Sequence, residues 1–153
     1  MMKLCSDVLK ALEGKTLCTA ESLTGGGIGA ALTSVPRASK VFKGGVISYT
    51  DEVKREVLGV SAADLSAFGA VSAPVAQAMA RGARELLKAD VAVSVTGLAG
   101  PDGDEFGHEV GTVFIGYSDE KTLYVREFHF SGDREAVRTQ TIESALQLIL
   151  ETL

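Results

Sequence analysis

Residues 90–97, "DVAVSVTG", decide the fold. Valines at 91, 93 and 95 and a threonine at 96 enclose only small residues, Ala92 and Ser94, with no charge between Val91 and Gly97. A short continuous apolar run rich in β-branched residues marks a strand covered on both faces, the kind found in layered α/β proteins.

Working upstream, "SAPVAQAMARGARELLKA" (72–89) reads as a helix with Ser72 as its cap and Pro74 in its first turn. Before it, "SAADLSAFG" (61–69) is a short capped helix. "TDEVKREVLG" (50–59) is another, with Thr50 as cap, acids in the first turn and Gly59 at its end. "GGVISY" (44–49) reads as a buried-type strand and "KTLCTA" (15–20) as a short one; "IGAALTSV" (28–35) is helical up to Pro36, and Met2 to Leu12 forms an amphipathic helix closed by Gly14. Downstream, a loop "GLAGPDGDEFGHEVG" (97–111) leads to "TVFIGYS" and "LYVREFHF", a hairpin around Asp119, Glu120 and Lys121. "DREAVRTQTIESALQLILETL" (133–153) is a capped amphipathic helix. Strands interleaved with helices, plus one hairpin, predict an α/β layered domain with a mixed sheet and helices on both faces. No linker or repeat divides the chain, so residues 1–153 read as a single domain.

The 153 residues are 46% hydrophobic and 23% charged, which excludes a disordered or fibrous chain. Net charge is -5 with the basic residues scattered, against the clustered Lys and Arg that a nucleic-acid surface requires. Cys5 and Cys18 are too few for a disulfide scaffold. The first residues lack the long apolar core and cleavage site of a signal peptide, and no stretch approaches a membrane span. The chain therefore reads as cytoplasmic.

In open α/β sheets, ligands sit beyond the carboxyl ends of the strands. Three loops qualify: Glu21 to Gly27, Tyr49 to Lys54 and Thr96 to Gly107. The first, "ESLTGGG", is no P-loop, because no Lys-Ser/Thr pair follows its glycines, and it does not match G-x-G-x-x-G. Its amides at a helix start suit an oxyanion or a phosphate, and its glycines equally suit close packing of helix on sheet. Spacing alone leaves both readings open.

Ser22 lies at the strand-to-helix turn, although no G-x-S-x-G elbow surrounds it. His108 and His129 stand in an acidic loop and an alternating strand, poor places for a Ser-His-Asp triad, so a serine nucleophile needs another base. Lys54 is the candidate, since the first turn of a helix is an unfavourable place for a cation and its field depresses a lysine pKa. On sequence physics alone, a solvated surface lysine is the commoner reading. The third loop has the length and composition of a lid. Its acids Asp102, Asp104, Glu105 and Glu109 lack EF-hand spacing, so they read as a solvated acidic loop and no metal is expected.

Taken together, "TAESLTGG" (19–26), "GGVISYTDEVKREVLGV" (44–60), "GAVSAPVAQAMARGAR" (69–84), "VSVTGLAGPDG" (93–103), "VGTVFIG" (110–116) and "GDREAVRTQTIESAL" (132–146) closely resemble the CinA C-terminal domain family. The resemblance runs from about Leu4 to Leu153, and its strength lies in several ordered motifs agreeing. Characterised enzymes of that family are nicotinamide mononucleotide deamidases. The resemblance implies a three-layer α/β/α sandwich, often homo-oligomeric, that hydrolyses the carboxamide of nicotinamide mononucleotide (NMN) to nicotinate mononucleotide and ammonia without metal or organic cofactor. By motif position it implies a Ser22/Lys54 pair, with Tyr49 and Thr96 beside the reacting group. In many relatives the domain follows a larger N-terminal domain, which this sequence reads as lacking.

Amide hydrolysis needs a nucleophile, a base that later protonates ammonia, and donors for the tetrahedral oxyanion. Loop amides from Leu23 to Gly26, including Thr24 and Gly25, are the expected donors. The amides of Gly97, Ala99 and Gly100, together with Arg138, are the expected phosphate contacts. No nucleic-acid or membrane partner is expected. Three positions depart from the family pattern: Leu23 replaces the usual cysteine, Asp51 a common asparagine, and Glu109 a common proline. Asp51 opposes the use of Lys54 as a base, so a non-catalytic nucleotide-binding or regulatory role is the alternative expectation.

Overall fold

The computed structural model describes residues 1–153. Six α-helices and five strands follow one another along the chain in the order α1 (Met2–Ala11), β1 (Leu17–Glu21), α2 (Gly27–Thr33), β2 (Phe42–Ile47), α3 (Asp51–Leu58), α4 (Ala62–Phe68), α5 (Ala73–Leu87), β3 (Val91–Gly97), β4 (Thr112–Ser118), β5 (Leu123–His129) and α6 (Arg134–Thr152). The strands form one mixed sheet in the order β2-β1-β3-β4-β5. β1 is parallel to both β2 and β3, and β4 and β5 are added antiparallel. Helices cover both faces, which is the layered α/β architecture expected from the sequence.

Strand alternation divides the packing. Leu17, Val91, Val93, Val95, Val113, Ile115 and Tyr117 face one side and pack with Cys5 and Val8 of α1, Ile28 and Leu32 of α2, and Leu146 and Ile149 of α6. The opposite side presents small residues, Cys18, Ala20 and Ala92, to Val75, Met79 and Ala83 of α5 and Leu58 of α3. Small residues bring α5 against the sheet: the Ser94 hydroxyl donates to the Ala76 carbonyl at 2.6 Å, and a Cβ on Gly116 would meet that same carbonyl at 2.6 Å. A Cβ on Gly82 would collide with the Leu58 carbonyl, so α5 also lies close to the end of α3.

Caps follow the local sequence. Thr50 and Ser61 accept from the amides of Val53 and Asp64, and Asp133 from that of Ala136. Gly59 ends α3 in the left-handed conformation at φ 73°. Ser72 precedes α5 as expected, but its hydroxyl donates to the Gly69 carbonyl at 2.8 Å instead of capping the helix.

The expectation for "GGVISY" is corrected. The strand runs from Phe42 to Ile47, lies at the sheet edge and alternates half-buried with exposed residues, Ile47 being 56% exposed. A short apolar run does not distinguish a central strand from an edge strand. The register slips by one residue between Leu17 and Cys18, so β2 carries a bulge there. Gly45 then lies against Thr19, where a Cβ would clash. No helix is long and apolar enough to cross a membrane.

Candidate active site

The site lies at the carboxyl ends of β1, β2 and β3. Ser22 follows β1 directly, its amide donating to the Val95 carbonyl at 3.1 Å. Glu21, the last residue of β1, is only 2% exposed. Its carboxylate turns back into the glycine loop and accepts from the Thr24 hydroxyl (2.6 Å) and the amides of Ile28 (2.9 Å) and Gly29 (3.0 Å). A negative side chain of the protein thus occupies the positive end of α2, the place a phosphate would otherwise take. The loop is therefore closed as a phosphate cradle. Its glycines serve geometry: Gly25 and Gly26 have φ of 57° and 101°, and a Cβ on Gly27 would lie 2.6 Å from Ile142.

Lys54 reaches Ser22 from the adjacent helix. Helical side chains lean toward the helix N-terminus, which carries Nζ back over the end of β2. There it donates to the carbonyls of Ser48 (2.8 Å) and Tyr49 (3.1 Å) and to Ser22 Oγ (3.0 Å). Lys54 is 1% exposed, and burial pulls its pKa down to about 8 while the nearby Asp51 carboxylate raises it. Burial is the larger influence. With two N–H groups fixed on carbonyls, the third tetrahedral direction of Nζ points at Ser22 Oγ. It carries a proton in the ammonium form and a lone pair in the neutral amine, the geometry of a base beside a hydroxyl.

A cavity of about 570 Å³ opens in front of the pair. It is lined by Ser22, Leu23, Tyr49, Asp51 and Lys54, by Leu65 and Gly69–Val71, by Gly97–Asp102 with Asp104, Glu105 and Phe106, and by Arg134. The amides of Leu23 and Thr24 donate to no protein acceptor, and neither do those of Ala99 and Gly100. Free donors thus stand immediately after Ser22 and again in the third loop, as an oxyanion and an anionic substituent require. No cluster of three or more His, Cys, Asp or Glu side chains has metal-binding geometry.

Among the sequence-expected residues, Ser22, Tyr49, Lys54, Gly97, Ala99 and Gly100 meet at this cavity. Five do not line it. Thr96 is buried, with its hydroxyl donating to the Ala70 carbonyl at 2.9 Å, so it ties β3 to the segment before α5. The Thr24 side chain is spent on Glu21, and the Gly25 amide on the Ser22 carbonyl at 3.1 Å. Gly26 starts α2 against Ile47. Arg138 donates to the carbonyls of Leu23 (3.0 Å) and Thr24 (3.2 Å), holding the loop from behind. The guanidinium at the cavity is that of Arg134, which donates to the Gly100 carbonyl (2.6 Å) and the Tyr49 hydroxyl (3.1 Å). Arg134 opens α6 just as Lys54 lies near the start of α3. A cation placed against the positive end of a helix was the signal available for both.

The comparisons agree along the whole chain. The sequence model of the CinA C-terminal domain matches residues 1–153. A Bacillus subtilis protein named for competence-damage inducibility is 46% identical over 141 residues, covering 92% of this chain and 34% of the relative. A CinA-like protein of Geobacter sulfurreducens is 45% identical over 141 residues, again 92% of this chain and 34% of the relative. The chain thus spans about a third of the length of these relatives. Among solved structures, a CinA superfamily protein of Escherichia coli superimposes with a TM-score of 0.97 at 36% identity, covering 99% of this chain and 90% of that one. Another from Klebsiella pneumoniae gives 0.95 at 37% identity, with 98% and 95% covered.

Proposed function

The chain belongs to the CinA C-terminal domain family, and from that premise we propose that it is an amidohydrolase that converts the carboxamide of NMN to a carboxylate and ammonia. One observation carries the reading: Lys54 Nζ stands 3.0 Å from Ser22 Oγ, buried, with its other two donors already placed on carbonyls.

In the proposed reaction, neutral Lys54 accepts the Ser22 proton as Oγ attacks the amide carbon. The tetrahedral oxyanion takes a hydrogen bond from the Leu23 amide, which lines the cavity next to Ser22. Collapse breaks the C–N bond, and Lys54 returns its proton to the departing nitrogen, releasing ammonia and leaving an ester on Ser22. Water, deprotonated by the same amine, attacks that ester. The second collapse frees the carboxylate and restores the serine hydroxyl. Arg134 and the free amides of Ala99 and Gly100 supply positive potential for the mononucleotide phosphate.

The alternative, a nucleotide-binding protein without turnover, draws on Asp51, whose charge favours protonated Lys54. The dominance of burial over that charge favours the enzyme. Ammonia release from NMN by the purified protein tests the proposal. Activity is expected in the wild type and lost in Ser22→Ala and Lys54→Ala. Full activity in Ser22→Ala overturns the mechanism, and NMN binding without turnover in the wild type selects the alternative.

A further inference from the structure

The cavity lining is chemically mixed. Ser22, Lys54, Tyr49, Arg134 and the acids Asp51, Asp102, Asp104 and Glu105 make it polar, and Leu65, Val71, Leu98 and Phe106 add apolar side chains. Phe106 is unusual among these because it stands in the middle of the loop between β3 and β4, remains 41% exposed, and is nevertheless held tightly. Asp104 Oδ1 accepts from the amides of Phe106 (3.2 Å) and His108 (2.9 Å), and its Oδ2 pairs with His108 Nδ1 at 2.7 Å. The His108 ring meets the edge of Phe114, which is 7% exposed, with centroids 6.3 Å apart and planes at 78°. The turn that presents Phe106 is thereby anchored to the sheet.

Across the cavity rim the Phe106 ring rests on Gly69. A Cβ at Gly69 would lie 2.6 Å from two ring carbons, and the left-handed φ of 76° there also favours glycine. A partly exposed aromatic ring held against Gly69, lining the same cavity as Ser22 together with Leu65, Val71 and Leu98, offers a planar apolar surface to a ligand there. A heteroaromatic ring stacks on such a surface, while an aliphatic amide gains little there.

We propose that Phe106 is a specificity-determining residue that binds the aromatic ring of the carboxamide substrate, restricting the site to aromatic amides. This rests on the amidase reading above. Asp104, His108 and Gly69 are positioning residues that hold the ring in place.

The test measures steady-state hydrolysis of NMN together with inhibition by ribose 5-phosphate, which carries the sugar phosphate and no ring. In Phe106→Ala, KM for NMN is expected to rise about tenfold, as the loss of one stacking partner implies, with most of the loss in KM and little in kcat. The inhibition constant of ribose 5-phosphate should stay within about twofold of wild type, because stacking contributes nothing to a ligand without a ring. Phe106→Leu keeps apolar bulk on Gly69 and should show the same rise, and Phe106→Tyr should restore the wild-type KM. An unchanged KM in Phe106→Ala overturns the inference and leaves the amidase standing. So does a parallel rise in KM and in the ribose 5-phosphate constant, which marks a general disturbance of the loop. Absence of NMN hydrolysis by the wild type overturns both.

Discussion

Two glycine-rich loops follow parallel strands of this sheet, and they are held in different ways. The loop after β1 is pinned by two side chains, buried Glu21 taking the first free amides of α2 and Arg138 of α6 taking the Leu23 and Thr24 carbonyls, while the Leu23 and Thr24 amides stay unbonded. The loop after β3 leaves the amides of Ala99 and Gly100 unbonded and is tied mainly by Asp104 near its tip. The difference teaches a division of labour. The proposed nucleophile needs a mount that does not move, so its loop is pinned by side chains and keeps amides free next to Ser22, while the proposed substrate-contacting wall keeps its donors and its apolar ring available.

The largest effect expected is chemical. Ser22→Ala and Lys54→Ala should each lower kcat for NMN by on the order of 10³-fold or more, measured as ammonia release. Substitutions at Phe106 should act mainly on KM. A comparable kcat loss at both loops would erase the contrast.

Next comes stability. Glu21→Ala strands two amides and a hydroxyl in a buried place and should cost about 3 kcal/mol in urea unfolding, whereas Asp104→Ala, at a more open turn, should cost about 1 kcal/mol. Equal costs would mean that the third loop is as structural as the first.

A smaller effect separates the two arginines. Arg138→Ala should lower stability by about 1–2 kcal/mol through the loop carbonyls it leaves unpaired. Arg134→Ala should chiefly raise KM, by roughly tenfold for a lost charged contact to phosphate. Steady-state kinetics and urea unfolding on both variants distinguish them.

The smallest effect is a shift in pH. Below a pKa of about 8, Lys54 is protonated and has no lone pair for Ser22, so kcat should rise with pH and level off above about 8. Asp51 raises that pKa, so Asp51→Asn should move the midpoint of the profile to lower pH. A midpoint that stays in place would place Asp51 outside the electrostatic reach of the amine.

Much of this was legible in the chain. The run from Val91 to Thr96 announced a doubly covered strand because it carries no charge, and Thr50, Ser61 and Asp133 announced helix starts because their oxygens satisfy amides within one turn. Ser22 and Lys54 were readable as a pair only through several motifs together, since a lysine at a helix start, though electrostatically unfavourable, is more often a solvated surface residue. Thr96, Thr24 and Arg138 were read toward the site because they sit in or near the right segments. Whether a side chain turns into a cavity or behind it depends on partners far along the chain, such as Ala70 for Thr96 and Leu23 for Arg138.

Sequence alone therefore determined the layered α/β class, the capped helix starts and the three loops that carry the site, because these follow from periodicity and from caps that act over a few residues. Tertiary structure alone decided that β2 is an edge, that Glu21 fills the helix end a phosphate would claim, and that Arg134 faces the cavity while Arg138 supports it. Each of these depends on which groups meet across the sheet, and burial, the main cause of the lowered Lys54 pKa, exists only once they have met.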